Sequence, residues 1–558
     1  MDGNPRLLIG PVLRFVGRTD ATVWVETDEP CEVEILGVRE RTWSVEGHHY
    51  AIVVVDGLQP GSATEYDVRL DGEAAWPDPR SDRPASRIRT LADDRPLRLV
   101  YGSCRYGRGA VKLADKHFDP DSLAAYARLL TTAADEQWPD AMLMLGDQVY
   151  ADETSEATQR RIRARRDVSQ GAGLELADFE EYTWIYLESW TDPDVRWLMS
   201  TVPSSMIFDD HDVRDDWNTS HEWRTDMQGT DWWQERVVGG LSSYWVYQHL
   251  GNLSPAELRE NDLYRQVRTS DGAASTAALR EFAARADSEA DGHKGARWSF
   301  RRDFGRTRLL MIDSRCGRIL ADGRRSMVDE DEFAWIEQQL GDTPDADGGD
   351  GDSGYDHLLI GTSLPWLLAR ALHDIEAWNE ALCDGGRGGR VARWSEKLRR
   401  GADLEHWASF HDSFERLGTM IESVAAGRRG SAPATVCVLS GDVHHAYIAE
   451  ATFSTSVTSR IYQLTCSPLH NYVPAYMKVT FRVAWSRFAE RFTRVLLGLV
   501  LRVPRTSVRW RRLAGPYFGS EIAELVISGR RAETVLRRSA APGDEGELVE
   551  VDRRTLAA

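Results

Sequence analysis

Six short apolar runs, each ending in a polar cluster, constrain the fold of this chain more than any other feature. They lie between residues 97 and 442 and read "LRLVYGS", "AMLMLGD", "SSMIFDD", "RLLMIDS", "HLLIGTS" and "TVCVLSGD". Helical stretches such as "SLAAYARLLTTAADEQ" and "DEDEFAWIEQQLGD" separate several of them. Continuous apolar strands that alternate with helices predict sheets covered on both faces. Because ligands of such sheets gather beyond the carboxyl ends of the strands, we expect the polar clusters to meet in space.

The segment before these runs has a different rhythm. It contains "ATVWVET", "CEVEILG", "YAIVVVDGL" and "EYDVRLDG", which are short, partly alternating stretches separated by Gly, Pro and Asp turns. The stretch "DGLQPGSATEYDVRL" resembles a strand corner of a fibronectin type III domain. We therefore predict a fibronectin III-like β-sandwich domain over residues 1–92, followed by the linker Leu91–Pro96 and a main α/β domain over residues 97–475.

Residues 476–558 form a predicted C-terminal extension that completes the main domain or packs on it. Its first part, Phe481–Arg512, is rich in Arg and nearly free of acids, although the whole chain has a net charge of -20. Apolar residues recur there at helical spacing, as in basic amphipathic helices that contact anionic membranes. The alternative is a helix pair that packs on the sheet with its arginines reaching surface acids. The later "EIAELVISG", "AETVLRRSA" and "GELVEVD" predict a β hairpin or meander.

Composition excludes several classes of function. The net charge of -20 argues against nucleic acid as the main partner, because phosphate backbones select Lys and Arg patches. The six cysteines form no CxxC pair, which argues against a disulfide framework or a structural zinc site. The acidic, Gly-rich segment 342–356 lacks the spacing of an EF-hand and predicts a solvated loop. No signal peptide, twin-arginine leader or transmembrane helix is seen, so we predict a cytoplasmic protein.

The polar clusters are rich in side chains that bind metals when deprotonated. They are "GSCRYG", "GDQVYAD", "FDDHDVRDDWN" and "SGDVHHAY". Phenolate and thiolate together favour ferric iron, whereas carboxylates suit calcium, magnesium or manganese, and one carboxylate can bridge two metals. We predict an unequal pair of sites. The iron-like cation is held by Cys104, Asp147, Tyr150 and His444, and the harder cation by Asp147, Asp210 and Asp442.

The blocks "GSC", "GDQVYAD", "DDHD", "LLMIDSR", "GTSLPWL" and "LSGDVHHA" resemble the alkaline phosphatase D (PhoD-like) family of the calcineurin-like metallophosphoesterase superfamily. The resemblance covers roughly residues 97 to 470. A Cys in the first block, a Tyr three residues after the bridging Asp, and Asp in place of His in the last block point to this branch. The resemblance implies an α/β fold with a metallophosphoesterase-type β-sheet sandwich covered by helices, preceded by the small all-β domain.

The resemblance also implies residue roles. Cys104, Asp147, Tyr150 and His444 match iron ligands, and Asp147, Asp210 and Asp442 match ligands of a calcium site. His211 matches the histidine that stabilises the transferring phosphoryl group or protonates the leaving group, with Asp212 or another acid orienting it. Arg105 and Arg315 follow strand ends and are predicted to bind phosphate oxygens, or else are structural. Asp215 and Asp216 depart from the family pattern, in which Asn is frequent, and leave a further calcium site open.

The predicted activity is metal-dependent hydrolysis of a small phosphoester, with a metal-bound hydroxide attacking phosphorus in line. Fe3+ and Ca2+ are the expected cofactors, and a reducing cytosol leaves Mn2+, Zn2+ and Mg2+ as alternatives. One alternative activity is that of a phosphodiesterase or phospholipase on nucleotide or lipid diesters. From another class, a non-catalytic scaffold that retains the fold is the rival, and the complete set of ligands argues against it.

Overall fold

The computed structural model describes residues 4–107, 118–321, 324–341, 354–384, 388–540 and 546–558. Most of the predicted acidic loop, residues 342–353, lies outside the described residues. All six cysteines are described and free. Among the described residues, no helix combines the length and the apolar character that crossing a bilayer requires.

The N-terminal region is all β, as predicted. Its ten strands are β1 (Leu7–Val16), β2 (Asp20–Thr27), β3 (Glu32–Ile35), β4 (Val38–Arg41), β5 (Trp43–Val45), β6 (His48–Asp56), β7 (Ala63–Glu65), β8 (Val68–Leu70), β9 (Glu73–Trp76) and β10 (Arg87–Arg89). Two four-stranded sheets, ordered β1-β2-β6-β5 and β4-β3-β8-β9, enclose a core that includes Val23, Val33 and Val53, while β7 and β10 form a pair. The alternating stretches thus place one face of each sheet inside the sandwich.

Two large sheets build the rest of the molecule. Their strands are β11 (Leu97–Gly102), β12 (Ala141–Leu145), β13 (Ser204–Ile207), β14 (Phe300–Phe304), β15 (Thr307–Ile312), β16 (His357–Thr362), β17 (Thr435–Ser440), β18 (Ala446–Phe453), β19 (Arg460–Thr465), β20 (Val508–Tyr517), β21 (Glu521–Ser528), β22 (Arg531–Ala540) and β23 (Glu547–Ala557). The six-stranded sheet has the order β13-β12-β11-β21-β22-β23, and the seven-stranded sheet β14-β15-β16-β17-β19-β18-β20.

The two sheets face each other, and helices cover their outer faces. Leu143 and Leu145 of β12 share one buried core with Leu359 of β16 and Leu439 of β17. The helices are α1 (Ser122–Thr131), α2 (Glu156–Arg165), α3 (Phe179–Trp190), α4 (Pro193–Thr201), α5 (His221–Gln228), α6 (Trp233–Tyr244), α7 (Pro255–Glu260), α8 (Asp262–Thr269), α9 (Gly272–Asp287), α10 (Glu330–Gln339), α11 (Arg370–Cys383), α12 (Gly389–Gly401), α13 (His411–Ala425), α14 (Ala475–Ala484) and α15 (Arg487–Gly498). This is the predicted sheet sandwich covered by helices.

Residues beyond 507 supply strands to both large sheets. Strand β20 pairs antiparallel with β18, and β21 pairs antiparallel with β11. The predicted helical segment Phe481–Arg512 is therefore helical only up to Gly498, and its last part was predicted wrongly, since β20 begins at Val508. Apolar and Arg residues alternate there with the period of a strand.

Strand direction brings the polar clusters to one edge. Strands β11, β12 and β13 are mutually parallel, as are β15, β16, β17 and β19. The carboxyl ends of both parallel groups meet because the sheets are stacked. The loop after β11 is joined to the loop after β12, since the Cys104 amide donates to the Gly146 carbonyl at 3.2 Å.

The N-terminal sandwich shares a core with the helices of the main domain. Trp24 and Tyr50 pack against Tyr247, with ring centroids 5.3 and 5.7 Å apart. The buried Arg14 guanidinium donates to the carbonyls of Ser204, Tyr247 and Gln248 at 3.1, 2.7 and 2.6 Å. The positive charge of Arg14 interacts favourably with the helix carbonyls that accept these hydrogen bonds. The two parts of the chain therefore behave as one packed unit.

His48 provides a pH-dependent contact across this boundary. Its Nδ1 lies 3.2 Å from Glu26 and its Nε2 lies 2.8 Å from Glu180 of α3. Burial alone would lower the pKa of His48, but hydrogen bonds with Glu180 and Glu26 outweigh burial and raise the pKa from 6.5 to about 9. A group whose pKa is higher in the folded state stabilises the fold fully at pH values below its pKa in the unfolded chain. This stabilisation is lost as the pH rises through the pKa of the folded state.

We expect His48→Gln to lower the free energy of unfolding by about 2 kcal/mol at pH 6 and by much less at pH 10. The difference from the parent protein should shrink between pH 6.5 and about 9. Urea unfolding at several pH values measures it, with the neighbouring His49→Gln as the matched control. A His48→Gln difference that stays constant with pH would contradict this assignment.

Candidate metal centre

Tight left-handed turns carry the predicted ligands. Cys104, Asp147, Asp442 and His444 have φ angles of 56, 50, 67 and 48°. Such angles are uncommon for residues other than Gly, and where they cluster the surrounding structure must hold them in place. Gly441 shows how closely the loops approach each other: a Cβ added there would lie 2.0 Å from the hydroxyl oxygen of Ser103. The turns aim four side chains from three strand ends, those of β11, β12 and β17, at one point.

Three groups of side chains, all buried or half-buried except the exposed Asp215, offer ligand atoms within 4.8 Å of one another at this edge. The groups are Asp147, Asp209 and Asp210; Asp210, Glu405 and Asp442; and Asp210, His211 and Asp215. Asp210 belongs to all three, whereas Asp147, predicted as the shared ligand, belongs to one. Asp215, which departs from the family pattern, thus lies beside the predicted ligand Asp210.

The carboxylates of this cluster are incompletely paired within the protein. Oδ1 of Asp147 and Oδ2 of Asp209 are buried and accept no hydrogen bond from any described residue. Burial raises the pKa of Asp147 well above its usual value, and the neighbouring Asp209 raises it further. Buried, unpaired carboxylate oxygens are costly unless a proton or a cation satisfies them. The donor set therefore fits bound metal ions.

Cys104 and Tyr150 form the other side of the cluster. The Cys104 sulfur lies 3.2 Å from each of the hydroxyl oxygens of Ser103 and Ser467 and 3.8 Å from the carbonyl oxygen of Asp442. The hydroxyl of Tyr150 accepts a hydrogen bond from Asn471 at 2.7 Å. Burial raises the pKa of Cys104 well above its usual value, and Asp147 adds to that rise. A polyvalent cation reverses such a shift by binding the thiolate.

Asp442 and His444 follow β17, and a second histidine positions the carboxylate. Nε2 of His406 lies 2.9 Å from Oδ2 of Asp442, while its Nδ1 lies 2.8 Å from Glu376. Burial alone would raise the pKa of Asp442, but the hydrogen bond with His406 outweighs it and lowers the pKa to about 2. His444 interacts electrostatically with the same carboxylate.

Arg315 lies among the acids rather than facing open space. Its fully buried guanidinium pairs with Asp209 and Glu405, and its Nη2 lies 3.1 Å from Asp210 and 3.7 Å from Asp442. It therefore neutralises part of the acidic cluster. Arg105 is likewise engaged, because its nitrogens donate to Asp121 and Ser189 at 2.8 to 3.0 Å. Contact of either arginine with phosphate stays a prediction and requires some of these bonds to be released.

His211 is oriented by Asp152, which the sequence did not single out. Nδ1 of His211 lies 2.8 Å from Oδ1 of Asp152. The sequence left this role to Asp212 or another acid, and the structure places another acid there, since Oδ2 of Asp212 accepts the backbone amides of Asp147 and Asp209 at 3.0 and 2.9 Å. Asp212 instead holds the two ligand-bearing loops together.

Glu405, His406 and Asp152 are the functional candidates that sequence reasoning missed. Glu405 and His406 lie between α12 and α13, and Asp152 lies in the turn before α2. None follows a strand directly, so the strand-end rule could not select them. The signals were weak: "DLEHW" has three ionisable residues but resembles many surface loops, and Asp152 is only the last residue of the block "GDQVYAD".

An open cleft of 630 Å3 adjoins His211 and Asp215. Arg214, Lys397 and Arg400 contribute positive charge to its lining. Arg214 pairs with Glu175 and Arg400 pairs with Asp226, whereas the exposed Lys397 has no ion-pair partner among the described residues. The cleft is therefore large enough for a small ligand and carries at least one cation available to an anion.

The stacked sheets and the strand-end centre define an α/β sandwich of the metallophosphatase type. Residues 116–489 match the PhoD-like phosphatase family, and residues 4–88 match a domain of unknown function, DUF7800. Since the first match spans more than half of the chain, the protein belongs to the PhoD-like phosphatase family. The family and fold class expected from the sequence are thereby confirmed.

Two solved structures align with nearly the whole chain. A structure of PhoD is similar over 100% of this chain and 93% of that one, at 12% identity and a TM-score of 0.56. Purple acid phosphatase PPD1 from yellow lupin (Lupinus luteus) seeds aligns with 99% of this chain and 74% of its own, at 11% identity and a TM-score of 0.47. No curated protein matches the chain. At these identities the likeness to PhoD concerns the fold alone.

We expect protein purified without chelator to contain metal, and Cys104→Ala and Asp147→Asn to lower affinity for at least one ion by ~100-fold or more. Elemental mass spectrometry of the purified proteins measures the content. Cys437→Ala, in the sheet core, and Asp140→Asn, at the opposite end of β12, are matched controls that should retain metal. Folded parent protein without metal, or controls that lose it equally, would contradict the site.

Proposed function

We propose that this chain is a metal-dependent phosphoester hydrolase that acts on small phosphoesters. The observation that carries the proposal is the convergence of buried carboxylates with Cys104, Tyr150 and His444 at one sheet edge, beside His211 and an open cleft. Membership of the PhoD-like phosphatase family supports the same class of reaction. A fold that kept this arrangement only for scaffolding would retain costly buried charges without chemical need.

Two cations would bind at the carboxylate cluster. Cys104, Asp147, Tyr150 and His444 suit an iron ion, because thiolate and phenolate favour Fe3+. Asp147, Asp210 and Asp442, with Asp209 and Glu405 beside them, suit Ca2+, and Mn2+, Zn2+ or Mg2+ are the alternatives. When bound, such cations lower the pKa of water and neutralise charge on a phosphoryl group.

The protein's own side chains orient the substrate and move the proton. Asp152 accepts the hydrogen bond from Nδ1 of His211, which fixes the ring and leaves Nε2 3.8 Å from Oδ1 of Asp215, a residue that lines the cleft. Nε2 would donate a proton to the leaving oxygen as the ester bond breaks. His406, held by Glu376, keeps Asp442 ionised and in place.

Positive charge at the cleft would draw in an anionic substrate. Lys397 is exposed and has no acidic partner within the described residues, so its ammonium group can meet phosphate oxygens. The acids Glu153 and Asp216 line the same cleft and would disfavour a substrate with extra negative charge next to the scissile group. The open cleft admits either a monoester or a diester.

We expect His211→Gln to lower kcat for an alkyl phosphomonoester such as glycerol 2-phosphate by 10²–10³-fold, since loss of the general acid that protonates a strongly basic leaving oxygen typically costs about that much. Asp152→Asn should lower kcat by ~10-fold, and both variants should keep the parent's metal content. Steady-state kinetics with parallel elemental analysis measures this. The control is His221→Gln at the start of α5, and equal activity of His211→Gln and the parent would contradict the assigned role.

The substrate class is tested by comparing p-nitrophenyl phosphate with bis(p-nitrophenyl) phosphate on the metal-containing protein. We expect hydrolysis of at least one at a rate that depends on Asp147. Faster turnover of the diester would favour the phosphodiesterase alternative. Metal-loaded, folded protein that hydrolyses neither compound nor a lipid diester would favour the scaffold.

A further inference from the structure

Large apolar side chains are exposed together on one small part of the surface. Nine of the thirteen exposed large hydrophobic residues of the described chain lie between Tyr476 and Val500. They belong to α14, α15 and the turn after them, a segment we name the exposed hairpin (residues 475–500). Scattered exposed apolar residues are normal, but a contiguous group marks an interaction surface.

The exposed residues form stripes along the helices. In α15 and the turn after it, Phe488, Phe492, Val495 and Leu499 are spaced three or four residues apart and are 75, 57, 68 and 77% exposed. In α14, Tyr476, Val479 and Val483 repeat at the same spacing and are 72, 59 and 53% exposed. An amphipathic helix of a globular protein normally turns its apolar stripe towards the core. Here both stripes face outward.

Small residues attach the hairpin to the body of the protein. Ala484 and Ala489 are buried against Ala369 and Ala371 at the start of α11. The hairpin is thus fixed through its narrow face, while its large side chains remain outside. The exposed side chains are ordered against each other, because the rings of Phe488 and Phe492 stack on the outer side with centroids 5.8 Å apart.

The same segment is strongly basic within an acidic protein. Between residues 475 and 507 there is one acid, Glu490, in a chain of net charge -20. Arg487, Arg491, Arg502 and Arg505 are exposed and have no acidic partner among the residues that the structure describes. Unpaired cations that flank an exposed apolar stripe complement a surface that is negative outside and apolar inside.

We propose that the exposed hairpin docks on the surface of an anionic lipid bilayer, with its apolar stripes among the acyl chains and its arginines at the headgroups. A second copy of this chain fits less well, because a two-fold interface would bring the unpaired arginines of both copies together. Each helix buries its narrow side against the protein, so the hairpin lies along the bilayer surface.

Docking would hold the metal centre near the bilayer. Phe481 of the hairpin stacks on the ring of His445 at 4.3 Å, and Nε1 of Trp485 donates to Nε2 of His445 at 3.5 Å. His445 directly follows the predicted ligand His444. The hairpin therefore contacts the same loop that supplies the metal centre.

The test is flotation of the full-length protein with vesicles of phosphatidylcholine alone or with 30 mol% phosphatidylglycerol, roughly the anionic range of natural membranes. We expect binding to the anionic vesicles, at least tenfold weaker binding to neutral ones, and weakening in 1 M salt. The double variant Phe488→Ser with Phe492→Ser should bind at least tenfold more weakly to the anionic vesicles. The double variant Arg487→Gln with Arg491→Gln should also bind about tenfold more weakly to anionic vesicles, and its binding to neutral vesicles should not change.

The matched control is Leu36→Ser with Val549→Ser, which removes two exposed apolar residues outside the hairpin and should bind like the parent. Unchanged turnover of a soluble phosphoester, or an unchanged melting temperature, shows that each variant is folded. Parent protein that does not float, or that floats equally with both vesicles, overturns the proposal. A dimer by sedimentation that becomes a monomer in the Phe488 and Phe492 variant also overturns it and assigns the hairpin to a second copy.

Discussion

The burial of several carboxylates around one arginine is the constraint on which the rest of this structure depends. Asp209, Asp210, Glu405 and Asp442 all contact or face Arg315, yet Asp147 and Asp209 still have oxygens without a partner among the described residues. Desolvated like charges repel strongly, so they stay close only where the fold leaves them no alternative. The stacked sheets hold these charges close together because they fix the first residues of four loops. The left-handed turns at Cys104 and Asp147 then aim the side chains inward.

The main elements of the fold could be predicted from the sequence because the strands are buried on both faces. Ala141–Leu145 and Val436–Leu439 are continuous apolar runs with no alternating polar residue for a solvent face, so a sheet covered on both faces accommodates them. Val508–Arg512 was predicted as helix wrongly because a segment this short, in which only Val508–Arg511 alternates, fits either period within a longer helical window. Strand pairing across hundreds of residues, as between β11 and β21, leaves no local signal.

The candidate centre was predictable only where its candidate ligands follow strands. Cys104, Asp147, Asp210 and Asp442 have that position, whereas Glu405 and His406 reach the centre from a loop between helices whose path depends on tertiary packing. The sequence also could not show which acid contacts His211. Asp212 and Asp152 are both acids beside "DDHD" or "GDQVY", and only the fold decides that Asp152 meets the imidazole of His211.

The order of the six-stranded sheet has a consequence for biosynthesis. Strand β11, which precedes Cys104, is flanked by β12 and by β21, and β21 is followed by β22 and β23 at that edge. Every predicted metal ligand of a nascent chain leaves the ribosome before residues 521–557 do. At that stage β11 still lacks its neighbour β21. The sheet that carries Cys104 and Asp147 is therefore complete only after β21, β22 and β23 have emerged, later than every predicted ligand.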